Sequence, residues 1–198
     1  MRPRPRGRLA GKDASSNIRK SRSGASGATI LTFLKTLFGQ RQEREGLRPL
    51  FEAAVALARE PAWYRDGGVP DTLQGRFAMV AAVTALILLR LETEGDAARR
   101  ESVLLTETFI DDMDSSLRQI GIGDFVVGKH VGKLVGALGG RVGAFRAAGP
   151  LDEPVRRNVF AGEEVDEAKV QFVAGRLEAL RGRLAATPLE PLLAGAMS

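Results

Sequence analysis

Residues 107–140, ETFIDDMDSSLRQIGIGDFVVGKHVGKLVGALGG, decide how this chain is read, because a carboxylate cluster, a turn and a glycine-spaced helix follow one another without a gap. At 100° per residue, Ile110, Met113, Leu117 and Ile120 make one apolar stripe, and Glu107, Asp111, Asp114 and Arg118 fall on the opposite face. The spacing predicts an amphipathic helix ended by Gly121 and Gly123. A second helical run from Asp124 carries Gly128, Gly132, Gly136 and Gly140 at four-residue spacing. Each glycine costs a helix about 1 kcal/mol relative to alanine, so four in line are expected to let another backbone come close. That backbone can belong to the same domain or to a partner.

The flanking sequence continues the helical pattern. Ile30–Phe38 is a short apolar stretch, either docked on the core or lying at an interface. Leu47–Arg59 is helical by pattern, with Pro49 in its first turn, and Glu60-Pro61 ends it. Residues 61–70, PAWYRDGGVP, are expected as an exposed loop with the only Trp and the only Tyr, after which Asp71 caps a core helix. The most apolar run, Phe77–Leu89, stops at Arg90, short of the ~20 residues that span a bilayer, and reads as a buried helix. Thr93–Ala98 is a polar link, and the glycine-spaced helix ends near Gly149-Pro150. Val159 and Phe160 stand alone before a last helix, Glu163–Ala186, with Val170, Val173, Leu177, Leu180 and Leu184 as its stripe. Its acids lie early and its arginines late, the order the helix dipole favours. No segment alternates with period two. The expected fold is all-α, a single compact bundle of about six helices spanning 28–186, with a disordered basic tail at 1–27 and a flexible tail at 187–198.

Charge and composition narrow the function. The net charge is +5, but residues 1–27 hold eight basic residues against Asp13, so the remainder is slightly acidic. The folded part is therefore not a nucleic-acid binder by charge, and no specific DNA contact is expected. The basic tail could meet a ribosome, a nucleic acid or a membrane surface. It also has the arginine-rich, acid-poor look of a mitochondrial presequence, although Pro3 and Pro5 spoil an early amphipathic helix. Cysteine is absent, which excludes disulfides and thiolate metal sites and is compatible with a reducing cytoplasm. The arginine- and glycine-rich composition suggests a GC-rich bacterial genome.

Candidate chemistry is sparse. GDFVVGKH at 123–130 has the glycine spacing of a phosphate loop, but His130 stands where a serine or threonine should hold magnesium, and a helix precedes it instead of a strand. Asp111, Asp112 and Asp114 could serve a metal-dependent enzyme, yet a helix turns Asp112 away from the other two. An Asp114–Arg118 pair on a solvated face is the plainer reading. Asp112, beside the apolar stripe, should meet a basic partner within the fold or offer charge at a binding surface. His130 has no second histidine and no nucleophile beside it. Tyr64, Arg65, Asp71, Thr72, Gln74 and Arg76 can be read as a recognition edge, since Tyr and Arg supply contact area and directed hydrogen bonds, or equally as Asp71 and Thr72 capping the helix while Arg76 neutralises the acidic helix.

Two blocks carry a family resemblance: WYRDGGVPDTLQGRFAMVAAVTALILLRLETEG at 63–95 and DDMDSSLRQIGIGDFVVGKHVGKLVGAL at 111–138. Together they resemble the ubiquinol-cytochrome c chaperone family, over about Leu31 to Arg146. The resemblance implies an all-helical, non-enzymatic assembly factor that handles newly made cytochrome b, with a small partner subunit in the mitochondrial members. The candidate partner-binding residues are Tyr64, Arg65, Asp71, Arg76, Asp112, Asp114, Arg118, Lys129, Gly132 and Lys133. No cofactor is expected: without cysteine, and with one histidine, the chain is poorly equipped for haem. The expected location is the cytoplasm or the periphery of the inner membrane, mitochondrial if the source is eukaryotic. A metal-dependent enzyme and a ribosome- or nucleic-acid-associated module are the alternatives.

Overall fold

The computed structural model describes residues 46–119, 127–147 and 149–197, with the side chains of 117–119 and 127–131 outside the description. Five long helices and three short ones make up the described residues: α1 (46–58), α2 (Pro61–Arg65), α3 (Leu73–Glu92), α4 (Arg99–Gln119), α5 (Val127–Arg146), α6 (Asp152–Asn158), α7 (Glu167–Ala186) and α8 (Leu189–Leu193). A 3₁₀ turn, Gly95–Ala98, links α3 to α4. No strand occurs among these residues, so the all-α expectation holds.

α3 is the axis of the bundle. Every side chain from Ala78 to Leu88 is buried, and α4, α5 and α7 pack around it. By length and composition alone this helix could cross a membrane, but two-thirds of its apolar window (67%) is enclosed by its own neighbours. An apolar run with no polar face is what a central helix requires. The other helices present one stripe each: Leu105, Phe109 and Met113 from α4, Leu134, Leu138 and Phe145 from α5, and the expected Val170, Val173, Leu177, Leu180 and Leu184 from α7. Arg90, at the end of α3, pairs with Glu94 at 2.6 Å and donates to the Leu184 and Thr187 carbonyls, tying α3 to the end of α7.

Four local expectations are corrected. Residues 61–70 are not an exposed loop: Pro61 starts α2, Trp63 is buried and its indole Nε1–H donates to the Leu57 carbonyl at 2.6 Å. The cap of α3 is Thr72, whose Oγ1 accepts from the Gly75 amide at 3.2 Å, while Asp71 turns to Arg76. Val159 and Phe160 are buried at the end of an additional short helix, α6, and the last long helix begins at Glu167 behind the Asp166 cap. Residues 187–197 are not a loose tail, because Leu192 and Met197 are buried in the core. Gly195 makes that return possible: at φ +90° its backbone approaches the Pro49 carbonyl, where a Cβ would lie 2.9 Å from the oxygen. Truncation after Leu193 removes Met197 and this turn. It is expected to cost about 2 kcal/mol, read as a lower urea midpoint at an unchanged slope.

Candidate functional site

The polar residues of the first motif block converge. Arg59, Pro61, Tyr64, Arg65, Asp71 and Arg76 line a groove of ≈ 560 Å³ where α2 meets the start of α3. The α2 helix sets Tyr64 and Arg65 on one wall. The Tyr64 hydroxyl donates to the Ala58 carbonyl at 2.8 Å, which fixes the ring against α1. The opposite wall is the chain entering α3, where Arg76 Nε donates to Asp71 at 2.7 Å. The entering chain folds tightly onto α3 because Gly75 carries no side chain: a Cβ there would lie 1.9 Å from the Pro70 carbonyl oxygen.

The charges are mostly committed. Arg65 makes two hydrogen bonds to Asp66, both at 2.8 Å. Those bonds hold the Asp66 carboxyl below its usual range, and the Arg76 bond does the same for Asp71. Burial raises the Tyr64 phenol, with Arg76 and Arg59 opposing and Asp71 reinforcing. Partial desolvation raises the Asp112 carboxyl, and Arg59 pulls it back. Arg59 thus acts electrostatically on both Tyr64 and Asp112. This cation was missed in the sequence because it reads as the last residue of a helix before Glu60-Pro61.

The sign for the two aspartates is opposite. Asp71, with a depressed pKa, contributes stability above its unfolded value that is lost as the pH falls through the folded one. Asp112, with a raised pKa, favours the folded state while protonated and loses that contribution as the pH rises. Replacing Arg59 by Gln removes the opposing charge, so the Asp112 pKa is expected to rise further. A carboxyl-carbon NMR titration reads this directly; an unchanged or lower Asp112 pKa would show that Arg59 does not face it.

The second motif block gives a different picture. Asp111 and Asp112 are exposed and Asp114 is half-buried, and among the described residues no cluster of three metal-ligating side chains forms. The Arg118 and Lys129 side chains, Gly121, Gly123 and most of the GDFVVGKH match lie outside the described residues. Gly132 and Lys133 are exposed on α5, and no described contact joins them to the groove. Among the described residues nothing lies within 4 Å of a Cβ built at Gly132, Gly136 or Gly140. Gly132, Gly136 and Gly140 therefore do not pack against the described residues. Arg141 of α5 is largely desolvated, which lowers its pKa; it donates to the Ala137 and Asn158 carbonyls and stacks 5.6 Å from the Phe77 ring.

Among the described residues the fold is all-helical and presents a groove of paired charges with one fixed phenol. The ubiquinol-cytochrome c chaperone family matches residues 65–198. The chain belongs to that family. In structure it is similar to the Cbp3 homolog from Brucella abortus, solved by crystallography, with a TM-score of 0.68 and 29% identity over 85% of this chain and 95% of that one. No curated protein matches the chain in sequence. Its role as an assembly chaperone for ubiquinol-cytochrome c reductase follows from the family.

Proposed function

We propose that this chaperone acts without catalysis, by holding newly made cytochrome b, and that the groove at the start of α3 is where it grips. The convergence of Tyr64, Arg65, Asp71 and Arg76 in one groove carries this reading. Tyr and Arg are the residues that most often dominate binding energy, and here both are pre-positioned, so little ordering remains to be done on binding. The exposed face of α5, with Gly132 and Lys133, and the acidic end of α4, with Asp112 and Asp114, offer further surface to the client or to a small partner subunit. Contact with a ribosome or a membrane surface falls to the basic segment 1–27, which suits a protein working at the periphery of the membrane that receives its client.

The experiment is a pull-down of the tagged full-length chain from native membranes. Cytochrome b should be recovered, and Arg76→Glu should reduce its recovery about tenfold, because charge reversal replaces a directed attraction with a repulsion. The exposed Arg76–Asp71 pair contributes little to folding, so circular dichroism and the thermal midpoint should hold. Recovery of other proteins without cytochrome b would sink the client assignment. Unchanged recovery by the variant would move the grip away from the groove.

A further inference from the structure

At the other end of α3, about 20 Å from Arg76 along the helix axis, the structure carries a second recess. It measures ≈ 470 Å³ and opens where the C-terminal ends of α3, α5 and α7 meet. That volume lies within the range of roughly 300–1,000 Å³ typical of ligand sites. Leu86, Leu89, Phe145 and Leu184 form its floor.

Three arginines border the recess, and they are not equivalent. Arg90 is neutralised by Glu94 at 2.6 Å and saturated by the Leu184 and Thr187 carbonyls. Arg146 makes a bidentate pair with Glu92, Nη2 donating at 2.7 Å and Nε at 3.3 Å. Arg181, half-buried on α7, makes no hydrogen bond or ion pair among the described residues. On its other side Arg181 borders a further recess with Asp152 and Glu178, whose Oε1 accepts from the Leu151 amide at 2.9 Å, without pairing to either carboxylate. An apolar floor with one uncommitted guanidinium at its lip is complementary to an apolar side chain next to a single carboxylate.

We propose that this recess docks a segment of a partner polypeptide that seats one or two apolar side chains on the Leu89–Phe145–Leu184 floor and sets a neighbouring Asp or Glu on Arg181. An anionic membrane surface fits less well, because attraction to it grows with the number of free cations and here two of the three are cancelled within the fold. The inference goes beyond the cytochrome b reading and does not depend on it, since it concerns another part of the molecule and leaves the partner's identity open.

The test places a photoreactive benzoyl-phenylalanine at Ala185, an exposed position on the lip, in the full-length chain expressed in cells. Cross-linked peptides are sequenced. The expected result is a discrete polypeptide segment cross-linked beside an acidic residue, with a yield that falls about tenfold in Arg181→Glu while the thermal midpoint is kept. Lysine in place of that acid should restore the yield in the Arg181→Glu background. Arg181→Gln serves as the second variant and should give an intermediate yield. Adducts to lipid alone, a yield indifferent to both Arg181 substitutions, a segment without a nearby acid, or no adduct at all would overturn the proposal. Loss of cytochrome b from the groove pull-down leaves this readout untouched, so the two failures are distinguishable.

Discussion

Gly75→Val is expected to lower the thermal midpoint by about 10 °C, the largest loss of stability from any single glycine in the motif blocks. Two effects compete at this position. Replacing a helical glycine by valine favours folding by about 0.5 kcal/mol, through backbone entropy less the cost of a β-branched side chain. Against it stands contact with main chain: the new Cβ would fall 1.9 Å from the Pro70 carbonyl oxygen and 3.0 Å from its carbon. A flexible side chain could move aside, but the Pro70 carbonyl belongs to the segment that carries Val69, which is buried, and leads to the Thr72 cap. Overpacking of this kind costs about 3 kcal/mol, so the clash wins. The variant should also lose the groove, since the displaced wall holds Asp71 against Arg76 at 2.7 Å. Differential scanning calorimetry checks the first effect. Loss of the depressed Asp71 titration checks the second, and a midpoint equal to wild type would show that the approach of the Pro70 carbonyl is not fixed.

How far this was legible in the sequence depends on the range of the interaction. The α7 stripe and the buried run of α3 could be read because their periodicity repeats over several turns and each position reports on the same face. α2 could not. Pro61, Gly67 and Gly68 are turn signals, and only the tertiary burial of Trp63 and its bond to the Leu57 carbonyl make the segment structural. The same holds for Leu192 and Met197, whose spacing is too short to reveal a face and whose burial depends on the turn at Gly195 meeting Pro49. Asp71 and Thr72 are both competent caps one residue apart. The decision went to Thr72 because Arg76 offered Asp71 a charged partner. For the candidate site, composition marked Tyr64, Arg65, Asp71 and Arg76 as a recognition edge, but the place of Arg59 in the same groove depends on how the end of α1 meets α2 and the start of α3.

The glycines of α5 give the converse case. A four-residue glycine spacing reads equally well as tight packing within the fold or as a surface kept open for another chain, and the two readings predict opposite results at Gly132. Here the residue is exposed, with nothing within 4 Å of its Cβ position among the described residues, while the same helix buries Leu134, Leu138 and Phe145 on its other side. Gly132→Leu should therefore not overpack the domain. It should stabilise α5 by about 0.5–1 kcal/mol through helix propensity, raising the thermal midpoint slightly. If the smooth face of α5 receives a client or partner helix, the same leucine blocks the close backbone approach that the glycine allows, as small residues do in helix–helix interfaces. Assembly of ubiquinol-cytochrome c reductase in a complementation strain should then fail with a folded, even stabilised, chaperone. A Gly132→Ala control separates propensity from bulk: it should carry most of the stability gain and much less of the functional loss. A fall of several kcal/mol in Gly132→Leu would place the glycine line inside the fold, and full complementation by a stable variant would remove α5 from the binding surface, leaving the Tyr64–Arg76 groove to carry it.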